Sequence, residues 1–230
     1  FFRKEEKFSL DKEFKKVIVP SCWQCFGYGD GGYTNDRYLF PLNPPEIGDS
    51  DYGVYRKHFD FNKKQGKRYY INFEGKDSCL YLYLNQKFVG FDSVAHCTSE
   101  FDITDFLNNG DNEIIVFVYR FSVGSYFECQ DKFRLSGLFR DIYILERDEQ
   151  HIESYKISYQ KISDKDIEVS ISFVGPKINK IIEVLHENLV INSDNDIVKF
   201  VILNAKLWNA EEPNLYTISI KCNDEVILCI

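Results

Sequence analysis

The sequence predicts an all-β protein built from two sandwiches in series. Three observations lead there. The hydrophobic periodicity is nearly all of order two, aromatic residues make up 16% of the chain, and the composition shifts near ERDEQH at 146–151. Alternation places every second side chain on one face, as a half-buried strand requires, and aromatic rings pack well on pleated surfaces. Before the shift lie the long loops, most of the Gly and most of the aromatics; after it come shorter, Ile-rich strands at close intervals. The boundary is therefore placed between 148 and 149. A large sandwich is expected over 1–148. A smaller one over 149–230 has the size and strand spacing of an immunoglobulin-like sandwich, without a Cys…Trp…Cys signature.

The individual elements follow in order. In CLYLYLNQKFVGF (79–91), Leu80, Leu82 and Leu84 alternate with Tyr81 and Tyr83, and Asn85-Gln86 reads as a turn between two strands. NEIIVFVYR (112–120) is a continuous apolar run and reads as a buried strand. IEVSISFVG (167–175) points Ile167, Val169, Ile171 and Phe173 inward, and YTISIKC (216–222) alternates in the same way. Helical pattern is almost absent. TDFLNNG (104–110) is the best single turn of helix, stopped by Gly110. Residues 20–53 and 121–141 read as long irregular segments, which in a sandwich either carry a site or cover a sheet edge.

Composition limits the function. The formal net charge is −8 and the pI about 5.1, with Lys and Arg scattered. Nucleic acid and anionic membranes need a basic patch and are excluded as partners. No apolar run approaches the ~20 residues of a membrane helix. FFRKEEKFSL is charged and unlike a signal peptide, and a chain without Met reads as part of something longer. Seven Cys at irregular spacings do not form a disulfide framework; free thiols in a reducing, cytoplasmic setting are expected. The aromatic load is compatible with sugar recognition, but for any single ring a place in the β core is the expected role.

The Cys-x-x-Cys of SCWQCFGYG (21–29) is the sharpest short motif. A zinc site needs four ligands, but no second such pair exists, and His58, His96, His151 and His186 are not at paired spacings. A redox pair belongs at a helix start after a strand, whereas this one runs into Gly27, Gly29, Gly31 and Gly32. Cys22 and Cys25 are expected to be idle.

In a longer window the same letters acquire a context. VPSCWQCFGYGDGGYTNDRYLF (19–40), YGVYRKHF (52–59), FEGKDSCLYLYLNQKFVGF (73–91), SEFDITDFLNNGDNEIIVFVYR (99–120), ECQDKFRLSGLFRDIYIL (128–145) and LWNAEEPNLYTI (207–218) occur in one order. Together they resemble the N-terminal part of glycoside hydrolase family 2, and ECQDKFRLSG is similar to the β-galactosidase branch. The resemblance implies a jelly-roll (galactose-binding-like) β-sandwich followed by the immunoglobulin-like one. It implies a retaining glycosidase in which two Glu residues work about 5 Å apart. Both belong to a C-terminal (β/α)₈ barrel of the same chain, so no catalytic residue is expected in 1–230. By motif, Asn35 and Asp131 reach the galactosyl group of a terminal β-galactoside, and Asp131 also helps to hold sodium. Sodium and magnesium are implied for the full-length enzyme, as is a homo-oligomer. Arg134, Arg140 and Asp141 are expected in a buried turn held by Arg–carboxylate pairs, and Trp23 and Trp208 in packing. A self-standing carbohydrate-binding module is the alternative reading. A pure adhesion sandwich would not need the polar ECQDKFRLSG loop.

Overall fold

The computed structural model describes residues 13–33, 38–48, 50–128, 131–185 and 187–229. It is all-β, and its contacts divide it into two compact units after Glu146.

The first unit holds β1 (Ser21–Cys22), β2 (Gly32–Tyr33), β3 (Tyr52–Phe61), β4 (Lys67–Phe73), β5 (Lys76–Asp77), β6 (Cys79–Leu84), β7 (Lys87–Asp92), β8 (Ser99–Asp102), β9 (Gly110–Tyr119), β10 (Phe133–Arg134), β11 (Gly137–Leu138) and most of β12 (Ile142–Asp148). A four-stranded sheet in the order β3-β9-β6-β7 faces a three-stranded sheet in the order β12-β4-β8, in the jelly-roll manner. Leu80, Leu82, Leu84, Val116 and Val118 come inward from the first sheet, and Tyr69, Ile71 and Phe73 from the second. The alternate positions of the first sheet carry Tyr52, Tyr81, Tyr83, Phe91, Phe117 and Tyr119, whose rings cover its outer face, as where Tyr81 and Phe91 sit 4.6 Å apart. The β6–β7 turn uses Asn85 and Gln86 at φ 53° and 62°, both in the left-handed region that a two-residue hairpin demands.

TDFLNNG is a turn rather than a helix, and Gly110 opens β9 instead of ending an element. The amides at its two ends are taken by side chains, Thr104 N–H donating to Asp102 Oδ1 at 2.9 Å and Asn108 N–H to Asn112 Oδ1 at 2.8 Å, while Phe106 and Leu107 N–H close a single turn on the Ile103 carbonyl. Such local bonds compete with helical ones.

The long segments around 20–53 and 121–141 are not merely irregular. They contribute β1, β2, β10, β11 and the one-turn helix α1 (Gly124–Phe127), and they pair with each other. β1, β11 and β5 make one small sheet, and β2 with β10 makes a ribbon. Gly137 sits at the centre of the small sheet at φ +136°; a Cβ there would lie 2.8 Å from the Ser21 carbonyl and 2.9 Å from the Tyr55 hydroxyl. Only glycine fits. Burial pushes that Tyr55 phenol up to about 12.

The second unit holds β13 (Ser154–Lys161), β14 (Ile167–Val174), β15 (Lys180–Val184), β16 (Leu189–Ser193), β17 (Ile197–Ile202), β18 (Ile218–Cys222) and β19 (Glu225–Cys229). Sheets β13-β14-β17 and β16-β15-β18-β19 enclose Val169, Ile171, Ile182, Val184, Phe200 and Ile220 as an immunoglobulin-like sandwich. Ile167, Val169, Ile171 and Phe173 all contact this core, as the alternation requires.

Each core contains a buried lysine. Lys76 Nζ is met by Asp92, by Ser99 Oγ at 2.6 Å and by the Val94 carbonyl. Burial opposes ionisation of Asp92, but the hydrogen bonds from Lys76 and Ser99 hold its carboxyl below the ordinary range. Lys180 Nζ donates to the Ile178 carbonyl at 2.9 Å and lies 5.0 Å from the Phe173 ring centroid.

Leu82 is fully buried between the sheets. Leu82→Ala should lower stability by about 2–5 kcal/mol, through lost transfer energy and the cavity left behind. Chemical denaturation followed by tyrosine and tryptophan fluorescence measures it.

Candidate functional site

The ribbon of β2 and β10 pairs Tyr33 with Phe133 and Gly32 with Arg134. Asp131 lies just before β10, and its carboxylate accepts a hydrogen bond from the Tyr33 hydroxyl. The Tyr33 ring packs against Phe133, with centroids 5.5 Å apart. Asp131 is exposed, and among the described residues its other oxygen is uncommitted. Phe133, whose ring packs on the same Tyr33, is 68% exposed, and Phe127, at the end of α1, is 85% exposed. Asn35 lies outside the described residues, so the two residues singled out from the sequence are not seen together here.

Two concavities mark the first unit. The larger, about 1810 Å³, is lined by apolar residues such as Val19, Phe59, Ile71, Val116 and Ile144, and does not include Asp131. The smaller, about 610 Å³, is lined by Asp30, Gly32, Tyr33, Phe133 and Arg120 at the ribbon, and Asp131 is not among its lining residues either. Charged residues such as Asp51, Arg56, Arg120 and Asp141 also line the larger one.

Behind Asp131 the loop is anchored to the interior. Lys132 Nζ donates to Asp77 Oδ2 at 2.7 Å and to His96 Nε2 at 2.8 Å, while His96 Nε2 is 3.5 Å from Asp77 Oδ2. An ammonium only donates, so Nε2 accepts and the ring is neutral with its proton on Nδ1. Asp77 is 7% exposed, and Lys132 supplies the cation its burial demands. Burial, and next the charge of Lys132, pull the His96 pKa down. The His96 ring rests on Phe139 at 5.2 Å. Nothing local in the sequence marked Asp77, His96 or Lys132, because they are far apart along the chain.

The expected buried turn is different in kind. Arg134 is buried and its Nη2 donates to the Glu128 carbonyl at 2.8 Å. Arg140 is exposed and its Nη1 donates to the carbonyls of His96 at 3.0 Å and Glu74 at 3.4 Å. Asp141 is exposed as well, so Arg140 is occupied by main-chain oxygens and Asp141 stands outside the buried role given to it. Trp23 does pack, against the first core and directly over Gly53. Trp208 does not; it is 62% exposed.

Cys22 caps the start of a four-residue 3-10 helix, Trp23–Phe26, that follows β1, and Cys25 lies within it, where the sequence suggested loop. The position still does not activate Cys22. Burial raises the Cys22 pKa, with further contributions from Cys25 and Asp77, so the thiol is protonated at neutral pH. Among the described residues no three His, Cys, Asp or Glu side chains could together hold a metal ion. Asp131 suits sodium as one oxygen ligand among several; the remaining ligands would have to come from elsewhere.

The family model described as "Glycosyl hydrolases family 2, sugar binding domain" matches residues 5–148, and "Glycosyl hydrolases family 2" matches 151–228. The chain belongs to glycoside hydrolase family 2. It is 38% identical over 226 residues to a beta-galactosidase of Actinobacillus pleuropneumoniae, covering 95% of this chain and 22% of that protein. It is 36% identical over 227 residues to a beta-galactosidase of Staphylococcus xylosus, covering 95% and 23%. The chain thus spans less than a quarter of the length of these relatives. In fold it is similar to the FMN-binding beta-glucuronidase from Facaelibacterium prausnitzii L2-6, with a TM-score of 0.71, 20% identity, and coverage of 95% of this chain and 36% of that one. An uncultured Clostridium sp. beta-glucuronidase gives a TM-score of 0.67 at 20% identity, covering 94% and 39%. No described helix is long and apolar enough to cross a membrane.

Two measurements follow from these ionisations. His96 binds its proton more weakly folded than unfolded, so stability should fall as pH drops below about 6.5, its ordinary value, and level off once the folded form also protonates. Asp92 and Asp102, both held low, should lose their contribution only as pH falls below about 3.8. His96→Gln should abolish the upper step and keep the lower one in urea midpoints taken from pH 3 to 8. Separately, Cys22→Ser/Cys25→Ser should leave metal content by elemental analysis unchanged.

Proposed function

We propose that this chain is the non-catalytic N-terminal part of a retaining β-galactosidase-like hydrolase and shapes the pocket for a terminal β-galactoside. The observation that carries the reading is Asp131: an exposed carboxylate at the start of the ribbon, hydrogen-bonded by Tyr33 and close to the uncovered Phe133. Uncovered apolar side chains beside a polar contact are what an interaction surface requires. In this reading the covering partner is the C-terminal catalytic barrel of the same polypeptide. Residues 1–148 face the sugar, and 149–230 form the second sandwich.

The chemistry is that of recognition. A terminal galactosyl group brings several hydroxyls into a dry pocket, and each needs a partner there. Asp131 accepts from a hydroxyl with its free oxygen and serves as one ligand of sodium; Asn35 supplies an amide able both to donate and to accept. Magnesium, where the full-length enzyme uses it, is held outside this carboxylate. Bond cleavage is left to two Glu residues beyond this chain, one acting as acid/base and the other as nucleophile. Galactoside is favoured over glucuronide by the names of the relatives at 38% and 36% identity, since the glucuronidase structures at 20% speak for the fold alone. A cytoplasmic homo-oligomer completes the proposal.

Asp131→Asn in the full-length protein should lower kcat/KM on a nitrophenyl galactoside about ten- to a hundredfold, the value of a charged hydrogen bond. Asp141→Asn should leave both kcat/KM and the melting temperature near the parent, because that carboxylate is at the surface. Residues 1–230 alone should show no turnover. Turnover by 1–230, or unchanged kcat/KM in Asp131→Asn, would refute the proposal. Micromolar galactose binding by 1–230 in calorimetry would favour a self-standing carbohydrate-binding module.

A further inference from the structure

We propose that Lys132 is a positioning residue for Asp131, aiming its carboxylate through the ion pair with the buried Asp77; the inference rests on the pocket reading of Asp131. Residues 131 and 132 send their side chains to opposite anchors. Asp131 is taken by the Tyr33 hydroxyl on β2. Lys132 reaches Asp77 on β5 at 2.7 Å and His96 at 2.8 Å. The peptide joining them is therefore held from both sides.

The Asp77 anchor cannot drift. Its backbone is paired with Gly137, and that position is set from the other side by β1, where Cys22 pairs with the same glycine. Asp77 is 7% exposed, so it cannot exchange Lys132 for water at low cost. Upstream, Arg134 Nη2 ties the loop to the Glu128 carbonyl, and the Glu128 carboxylate accepts from Ala95 N–H at 3.0 Å. Asp131 thus faces solvent while Lys132 and Arg134 beside it are tied to the interior.

A lysine at 132 whose only work were to neutralise Asp77 would stabilise the fold and leave the kinetics of folded enzyme untouched. A lysine that also sets the loop places the Asp131 carboxylate to within the tolerance of a hydrogen bond. A shift of about 1 Å at such a contact can cost on the order of a hundredfold in rate.

The test is a double-mutant cycle in the full-length protein, with kcat and KM measured on a nitrophenyl galactoside. Lys132→Met should lose about tenfold in kcat/KM, within the range that misplacement of a contact produces. Added to Asp131→Asn it should cost nothing further, because the contact it sets is already gone. Lys132→Arg should restore most of the loss. Parent kinetics in Lys132→Met, alongside impaired Asp131→Asn, would overturn the positioning role and leave the pocket reading standing. Equal losses from Lys132→Met with and without Asp131→Asn would also overturn it, since the lysine would then act elsewhere. Parent kinetics in Asp131→Asn would remove the pocket reading, and this inference with it. If Lys132→Met does not fold, Asp77→Asn/Lys132→Met leaves no lone buried charge and is read by the same criteria.

Discussion

No side chain fits at position 137, and much of the first unit depends on that. With hydrogen in place of a Cβ, β11 can lie against β1 on one side and β5 on the other while the Tyr55 hydroxyl approaches the same backbone. The small sheet that results joins three pieces of chain far apart in sequence. One carries the Trp23 turn, one the buried Asp77, and one leads directly out of the ribbon that bears Asp131. Any larger residue would have to move the Ser21 carbonyl, a backbone atom, so the strain could not be absorbed by a side-chain rotation.

From this junction the rest of the site inherits its rigidity. The two main sheets of the first unit supply a core, but they do not by themselves orient the ribbon. That is done by polar contacts whose energy is conditional on burial: a carboxylate that must keep its cation, a neutral imidazole that must accept, and an arginine that satisfies a loop carbonyl. Buried polar groups of this kind are costly when half-satisfied and specific when complete. They convert a flexible Gly-rich stretch into a surface with a defined chemistry.

Both sandwiches were legible in the sequence because a period of two is written residue by residue, as in Leu80, Leu82 and Leu84 or Ile167, Val169 and Ile171. The Asn85-Gln86 turn was legible for the same local reason. TDFLNNG misled because its competitors for the backbone amides, Asp102 and Asn112, lie at or just outside its ends. The short strands of the long loops could not be read either. Two-residue strands have no periodicity, and their partners lie elsewhere in the chain. Asp131 was visible through the resemblance carried by its neighbours. Lys132 was not, since Asp77 lies 55 residues away and His96 lies 36 away, and only the fold brings the three together. Arg140 and Asp141 were expected in a buried turn held by Arg–carboxylate pairs; both are exposed, and the Arg140 guanidinium is instead held by carbonyls.

The placement of the two tryptophans has a spectroscopic consequence. The chain contains two, and each compact unit has one. Trp23 is wedged over Gly53 against the first core, in an apolar surrounding that shifts indole emission to shorter wavelength. Trp208 is open to solvent and should emit at longer wavelength with ready access to a collisional quencher such as iodide. The chain therefore contains a built-in optical label for each half: the quenchable red component reports on the second unit, and the protected blue component on the junction around residue 137.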